Sequence, residues 1–187
     1  MQITDLPEID VVTVSHNHYD HLDIPSLKKL SKKNPKTLFL VPKGDQKLLN
    51  RKGIKNTKEF LWWENIEIKG TKFTFTPTQH WSARGLADRN KSLWGGWFMS
   101  FPNFKSFHAG DSGYSKDFQD TQAKLGKPDL SLIPIGAYAP QWFMKANHVN
   151  PEEALQVALD LGSKKNYAMH WVTFQLTDEE TLEPPAL

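Results

Sequence analysis

Short apolar runs alternate with amphipathic stretches along this chain, and the alternation predicts its elements. Ile9–Val14 (IDVVTV) is rich in β-branched residues and too short for a typical helix, so it predicts a buried β-strand. Ile24–Lys33 predicts a helix, Thr37–Val41 a strand stopped by Pro42, and Lys43–Lys52 a second helix ending at Gly53. Ile66–Lys69 and Lys72–Thr76 straddle Gly70-Thr71 and predict a hairpin, and Trp94–Phe101 with Phe104–His108 predict another around Pro102-Asn103. A helix is expected over Lys116–Leu125 before Gly126, then a strand over Asp129–Ile135 broken by Pro134. The clearest helix begins at Pro151: Asn150 caps it, proline stands at its first position, and Glu152 and Glu153 face the positive end of its dipole. It runs to Leu161, ends at Gly162 and gives way to a strand over Asn166–Met169. The pattern is mixed α/β, without repeats or low-complexity segments.

Directly after the first predicted strand comes His16-Asn17-His18-Tyr19-Asp20-His21. Histidine accounts for only 7 of the 187 residues, so three imidazoles and a carboxylate within six positions are hard to attribute to chance. Imidazole and carboxylate are ligands that zinc accepts. In an extended chain residues i and i+2 point the same way, so His16 and His18 can grip one ion together. Asp20 and His21 follow where the chain turns and face a second position, a spacing that suits two metals. Three more ligand candidates stand just past strand ends: His80 after Lys72–Thr76, Asp111 after Phe104–His108, and His170 after Asn166–Met169. That is where α/β sheets place ligand sites. Each alone could equally be a cap or turn residue. With the opening motif they supply seven ligands, enough for two metals sharing a bridging carboxylate.

At 187 residues the chain is expected to form a single domain, 1–187. The absence of cysteine excludes disulfides and zinc-thiolate sites. The net charge of +2 is lower than a groove for a nucleic-acid backbone calls for, so nucleic acid is not an expected partner. Lysine and arginine nonetheless crowd residues 28–58, either as a solvated helical face or as an attraction to anionic lipid or another polyanion. No apolar stretch approaches the roughly 20 residues of a membrane span, and the first residues lack the features of a signal peptide. A cytoplasmic location is the default. The seven tryptophans are expected mostly in the core, including Trp81 and Trp142; the alternative for Trp81 and Trp142-Phe143-Met144 is an acyl-chain groove or a membrane contact.

Seven blocks carry a more specific resemblance: Ser15–Asp23 (SHNHYDHLD), Pro77–Gly85 (PTQHWSARG), Asp88–Trp97 (DRNKSLWGGW), Gly110–Tyr114 (GDSGY), Leu132–Tyr138 (LIPIGAY), His148–Leu155 (HVNPEEAL) and Met169–Asp178 (MHWVTFQLTD). In this order they resemble the metallo-β-lactamase superfamily. The resemblance is closer to one branch, the N-acylphosphatidylethanolamine-hydrolysing phospholipase D family and its bacterial relatives. The resemblance implies a four-layer αββα sandwich and a dinuclear zinc centre, with Fe or Mn able to replace one Zn²⁺. His16, His18 and His80 would hold one ion and Asp20, His21 and His170 the other, with Asp111 bridging. A hydroxide generated between the metals would cleave a phosphodiester of an N-acylphosphatidylethanolamine-type phospholipid, releasing N-acylethanolamine and phosphatidic acid. Asp20, Asp111 and His148 would be the catalytic side chains, His148 either binding the phosphate or protonating the leaving group. A hydrogen-bonded loop histidine is the alternative for His148, and His108, inside a predicted strand, is read as structural. Gly110-Asp111-Ser112-Gly113 superficially resembles a serine-protease signature, but Tyr114 follows and Asp111 is better used on metal.

The chain departs from that family in three places. The first histidine motif arrives at residue 16, where members carry a long preceding portion, and the chain stops where relatives continue into a further helix. Val172 stands where the family usually has glycine. N-terminal strands of the sandwich, and any targeting segment among them, are therefore expected to be missing. Exposed strand edges and apolar surface should result, open to cover by a second copy in a homo-oligomer. Two alternatives to the phospholipase reading stay open: a lactonase or other small-molecule hydrolase, and an inactive metal-binding fragment. Peripheral membrane contact is the partner expectation beyond the substrate.

Overall fold

The computed structural model describes residues 2–186. Its contacts divide them into two compact units: one runs through Leu61 and includes Trp81–Trp94, and the other joins Trp62–His80 to the residues from Gly95 on.

The first unit is built on a three-stranded parallel sheet, in the order β1 (Val11–Thr13), β2 (Leu38–Pro42), β3 (Thr57–Phe60). In β2, Phe39, Leu40 and Val41 are all fully buried, the continuous apolar run expected of a strand covered on both faces. Helix α1 (Ile24–Lys33) matches its predicted span, since its Asp23 cap accepts from the Ser26 amide at 2.9 Å and Pro25 stands in its first turn. Helix α2 is shorter than predicted, Gln46–Arg51, because Lys43–Asp45 form a turn. Val14, Leu22, Leu27, Phe39, Val41, Leu49 and Ile54 form this unit's core. The lysines of α1 and α2 lie on the solvated side, as one reading of residues 28–58 expected.

The second unit is a six-stranded mixed sheet in sequence order: β4 (Asn65–Ile68), β5 (Thr71–Thr76), β6 (Gly96–Phe101), β7 (Phe104–His108), β8 (Leu130–Pro134) and β9 (Lys165–Met169). Both predicted hairpins form. The first turns at Lys69-Gly70, one residue earlier than expected, with φ of 50° and 75°, the double positive φ that tight hairpins require. Strands β4 to β7 pair antiparallel and β7, β8 and β9 parallel. It follows that β5, β7, β8 and β9 all run in one direction and deliver their C-terminal ends to one end of the sheet.

Helices α3 (Asp117–Leu125) and α5 (Pro151–Leu161) pack on this sheet through Phe118, Ala154, Val157 and Leu161, against Phe98, Phe107 and Ile133. Helix α5 is capped as its sequence predicts: Asn150 Oδ1 accepts from Glu153 N at 2.8 Å, the Glu153 carboxylate returns to Asn150 N, and Gly162 closes the helix at φ 60°. A one-turn helix, α4 (Gln141–Met144), was not predicted. It also corrects the tryptophan expectation. Trp97 is fully buried, but Trp142 is 87% and Phe143 65% exposed, because a single helical turn has no second layer to pack against.

Candidate metal centre

In the first unit, β1 ends at Thr13 and Val14 seals the core, so the chain leaves the sheet at Ser15 directly into the histidine motif. His16 and His18 meet with Nε2 and Nδ1 3.0 Å apart and ring centroids 4.6 Å apart. The His21 ring lies 4.1 Å from that of His16, and its Nε2 is 3.2 Å from Asp20 Oδ2. The Ser15 hydroxyl sits 3.1 Å from His16 Nδ1 and 3.5 Å from His21 Nδ1, which orients both rings from behind. Trp81 stands edge-on to the His18 ring at 4.4 Å and carries the Arg89 guanidinium over its own face at 4.5 Å. All four ligand candidates of the motif are thus brought together on one loop.

In the second unit the common direction of β5, β7, β8 and β9 brings four more residues to one end of the sheet. His80 follows β5, Asp111 follows β7, His148 lies in the connection from β8 to α5, and His170 follows β9. Asp111 is buried, and its Oδ2 is 3.3 Å from His170 Nε2 and 3.9 Å from His80 Nε2. His80, Asp111 and His148 each offer a ligand atom within 4.8 Å of the others, and the His148 ring stacks on that of His170 at 5.8 Å. His80 Nδ1 is held by the Asn147 carbonyl at 3.0 Å, the kind of outer contact that fixes a ligand's tautomer. His108, at the end of β7, accepts from Gly110 N at 3.1 Å.

Backbone demands explain some of the surrounding residues. An added Cβ at Gly136 would lie 2.2 Å from the His170 carbonyl oxygen, so only glycine lets β9's end approach so closely. His170 and Val172 both have positive φ, 60° and 66°. The conformation that a glycine would adopt freely is therefore imposed on a β-branched side chain at Val172.

The donor set fits divalent zinc. Two ligands at ~2.0–2.1 Å from one tetrahedral ion stand roughly 3.3 Å apart. The separations of 3.0 Å (His16–His18), 3.2 Å (Asp20–His21) and 3.3 Å (Asp111–His170) lie at or just below that value.

Three residues around the motif have no sequence signal of their own. Asp45 is buried, accepts from Asn17 Nδ2 at 2.9 Å, and is pushed up to about 6 by burial, which Ser92 and Asn17 offset only in part. Arg84 Nη1 donates to the Asn17 and Leu22 carbonyls at 2.9 and 2.8 Å. Asp88 accepts from the Gly85 and Arg84 amides, and these bonds hold its carboxyl below the usual carboxylate range. Arg84 lies inside the block PTQHWSARG and Asp88 opens the next, but neither has ligand chemistry to mark it.

Comparison with known proteins identifies the family and the fold. The model of the beta-lactamase superfamily domain matches residues 2–171. The mitochondrial N-acyl-phosphatidylethanolamine-hydrolyzing phospholipase D of Saccharomyces cerevisiae is 42% identical over 98% of this chain and 40% of its own length. N-acyl-phosphatidylethanolamine-hydrolyzing phospholipase D 1 of Caenorhabditis elegans is 40% identical over 98% of this chain and 55% of its own. The chain thus spans about half the length of the curated relatives it matches. Among solved structures, a metallo hydrolase from the archaeon Ignicoccus hospitalis superposes with a TM-score of 0.73 at 22% identity, over 89% of this chain and 66% of that one. The likeness shows the same fold.

Proposed function

The chain belongs to the metallo-β-lactamase superfamily, and from that premise we propose that it is a metal-dependent hydrolase with a dinuclear zinc centre. His16, His18 and His80 would hold one ion and Asp20, His21 and His170 the other, with Asp111 ligating both. The observation that carries this reading is the set of donor separations of 3.0–3.3 Å for His16–His18, Asp20–His21 and Asp111–His170, with the Asp111 carboxylate buried beside His80 and His170. Zinc bound there supplies Lewis acidity and lowers the pKa of a coordinated water from about 15.7 towards about 7.

The chain's own residues then have distinct tasks. Asp20, exposed on its loop, would accept a proton from the attacking water. His148, beside His80 and His170, would hold a substrate phosphate oxygen or protonate the leaving alkoxide. The proposed substrate is an N-acylphosphatidylethanolamine-type phosphodiester, cleaved to N-acylethanolamine and phosphatidic acid. The two phospholipase D relatives at 42% and 40% identity support that choice. Exposed Trp142 and Phe143 support delivery from a membrane surface, where aromatic side chains favour the headgroup region. No helix of the described residues is long and apolar enough to cross a membrane.

The test has two stages. Elemental analysis of purified protein should find close to two zinc, iron or manganese ions per chain; folded protein that binds no metal would sink the proposal. A panel of an activated phosphodiester, an N-acyl phospholipid and a lactone should then show preference for the phospholipid, and His18→Ala should abolish turnover. Preference for the lactone would instead identify a small-molecule hydrolase.

A further inference from the structure

We propose that Arg84 is a positioning residue for the ligand loop, a single guanidinium that sets the spacing of His18, Asp20 and His21. The proposal rests on the reading of His16–His21 as a metal-ligating loop. Inside that loop the His21 and Leu22 amides donate to the His18 carbonyl at 3.2 and 2.8 Å, closing a single turn. A one-turn loop of this kind cannot by itself hold three ligands within the ~0.5 Å that a preorganised site needs.

Arg84 adds a constraint from outside the turn. Its Nη1 donates to the carbonyl of Asn17 at 2.9 Å and that of Leu22 at 2.8 Å. Those two carbonyls bracket three of the four ligand candidates. The same guanidinium lies 3.9 Å over the ring of Tyr19, in the middle of the bracketed stretch. Bonds from a charged donor are about twice as strong as neutral ones, and the planar fork is pre-organised in a way a lysine ammonium is not.

Arg84 is itself fixed. The Asp88 carboxylate accepts from its amide at 3.1 Å and from that of Gly85 at 2.8 Å. Asn17, between His16 and His18, is gripped from the other side as well, through its amide to buried Asp45 at 2.9 Å. The guanidinium borders a cavity of about 530 Å³ that is also lined by Asn17, Tyr19, Asp45 and Lys52. Arg84 therefore meets the loop beside an open cavity.

The experiment compares Arg84→Lys, Arg84→Gln, His18→Ala and Lys52→Gln in the full chain. Lys52→Gln removes a charge from the same cavity without touching the loop. Amide hydrogen exchange of metal-free protein comes first. Both Arg84 variants should speed exchange at His21 and Leu22, and Lys52→Gln should not; unchanged exchange in both Arg84 variants overturns the proposal. Zn²⁺ affinity, read by competition with a chromophoric chelator, should fall about tenfold in Arg84→Lys. The visible absorption of the Co²⁺-loaded variant should shift, which a purely structural loss of stability would not produce. Wild-type affinity and spectrum in the Arg84 variants, beside lost binding in His18→Ala, would overturn the role of Arg84 and leave the metal loop standing. Absence of Zn²⁺ binding in the wild-type chain would overturn both.

Discussion

The first unit gathers its ligand candidates from six consecutive residues, whereas the second collects its own from positions 80 to 170. In the first, proximity comes from chain connectivity, and accuracy has to be added by side chains that reach in, from Arg84 and Asp45 to the carbonyl and amide of Asn17. In the second, proximity comes from strand direction. Four strands that run the same way end together, so His80, Asp111 and His170 arrive at one edge, with Gly136 allowing the final close approach. The first arrangement is conspicuous in sequence and depends on clamps. The second is diffuse in sequence and rests on a hydrogen-bonded sheet, so damage to each should have a different character.

The largest effect is expected at Asp111. Asp111→Asn keeps the shape of the side chain but removes the negative charge that faces His80 and His170. If metals supply several kcal/mol of transition-state charge stabilisation, turnover should fall roughly 10³-fold or more, with metal content below one ion per chain. Because the sheet already places these residues, metal-free Asp111→Asn should melt no lower than metal-free wild type. A collapse of the metal-free fold would show that the second unit depends on this carboxylate as much as the first depends on its clamps.

The same contrast explains what sequence reading could reach. Helices α1 and α5 were legible to the residue because their caps are local chemistry: Asp23 to Ser26, Asn150 to Glu153. The six-residue motif was legible because its ligands share one loop. Strand β3 (TKEF) and helix α4 (QWFM) escaped, being too short for a period to show, and exposed Trp142 escaped because bulk argues for burial until topology says otherwise. His80, Asp111 and His170 could be named as strand-end residues, but their meeting depends on strand order, and His148 was marked chiefly by family resemblance. Arg84 and Asp45 act on Asn17 from 67 and 28 residues away, and nothing local announces such a contact.

A second test concerns the clamp at Asp45. Its carboxyl is raised from 3.8 to about 6 in the folded chain, chiefly by burial. Below about pH 4 both states hold the proton and the group is neutral in its effect. As pH rises from 4 to 6 the unfolded chain releases the proton while the folded chain retains it, so this group's contribution to stability declines, then stays constant above 6. At ~1.36 kcal/mol per pKa unit, the full difference is at most about 3 kcal/mol. Asp45→Asn keeps an acceptor for Asn17 and removes the charge. It should stabilise the protein by about 1–3 kcal/mol at pH 7.5 and leave it nearly unchanged at pH 4, measured by urea unfolding at both. Equal differences at the two pH values would mean that burial of the charge is not what raises this carboxyl.

The smallest expected effect lies in the second unit, at Val172. Its φ of 66° forces a β-branched side chain into the left-handed region, at a cost of about 1–2 kcal/mol relative to a right-handed conformation. The side chain is 49% exposed, so little burial is forfeited by removing it. Glycine relieves the backbone but leaves the unfolded chain freer, which returns roughly 0.5–1 kcal/mol. Val172→Gly should therefore gain up to about 1 kcal/mol, or about 2–4 °C in melting temperature for a chain of this size. Unlike Asp45→Asn, the gain should be the same at pH 4 and pH 7.5, since no charge is involved. A loss of stability would show that the sheet end holding His170 draws on the Val172 side chain, and that the second unit too relies on a clamp.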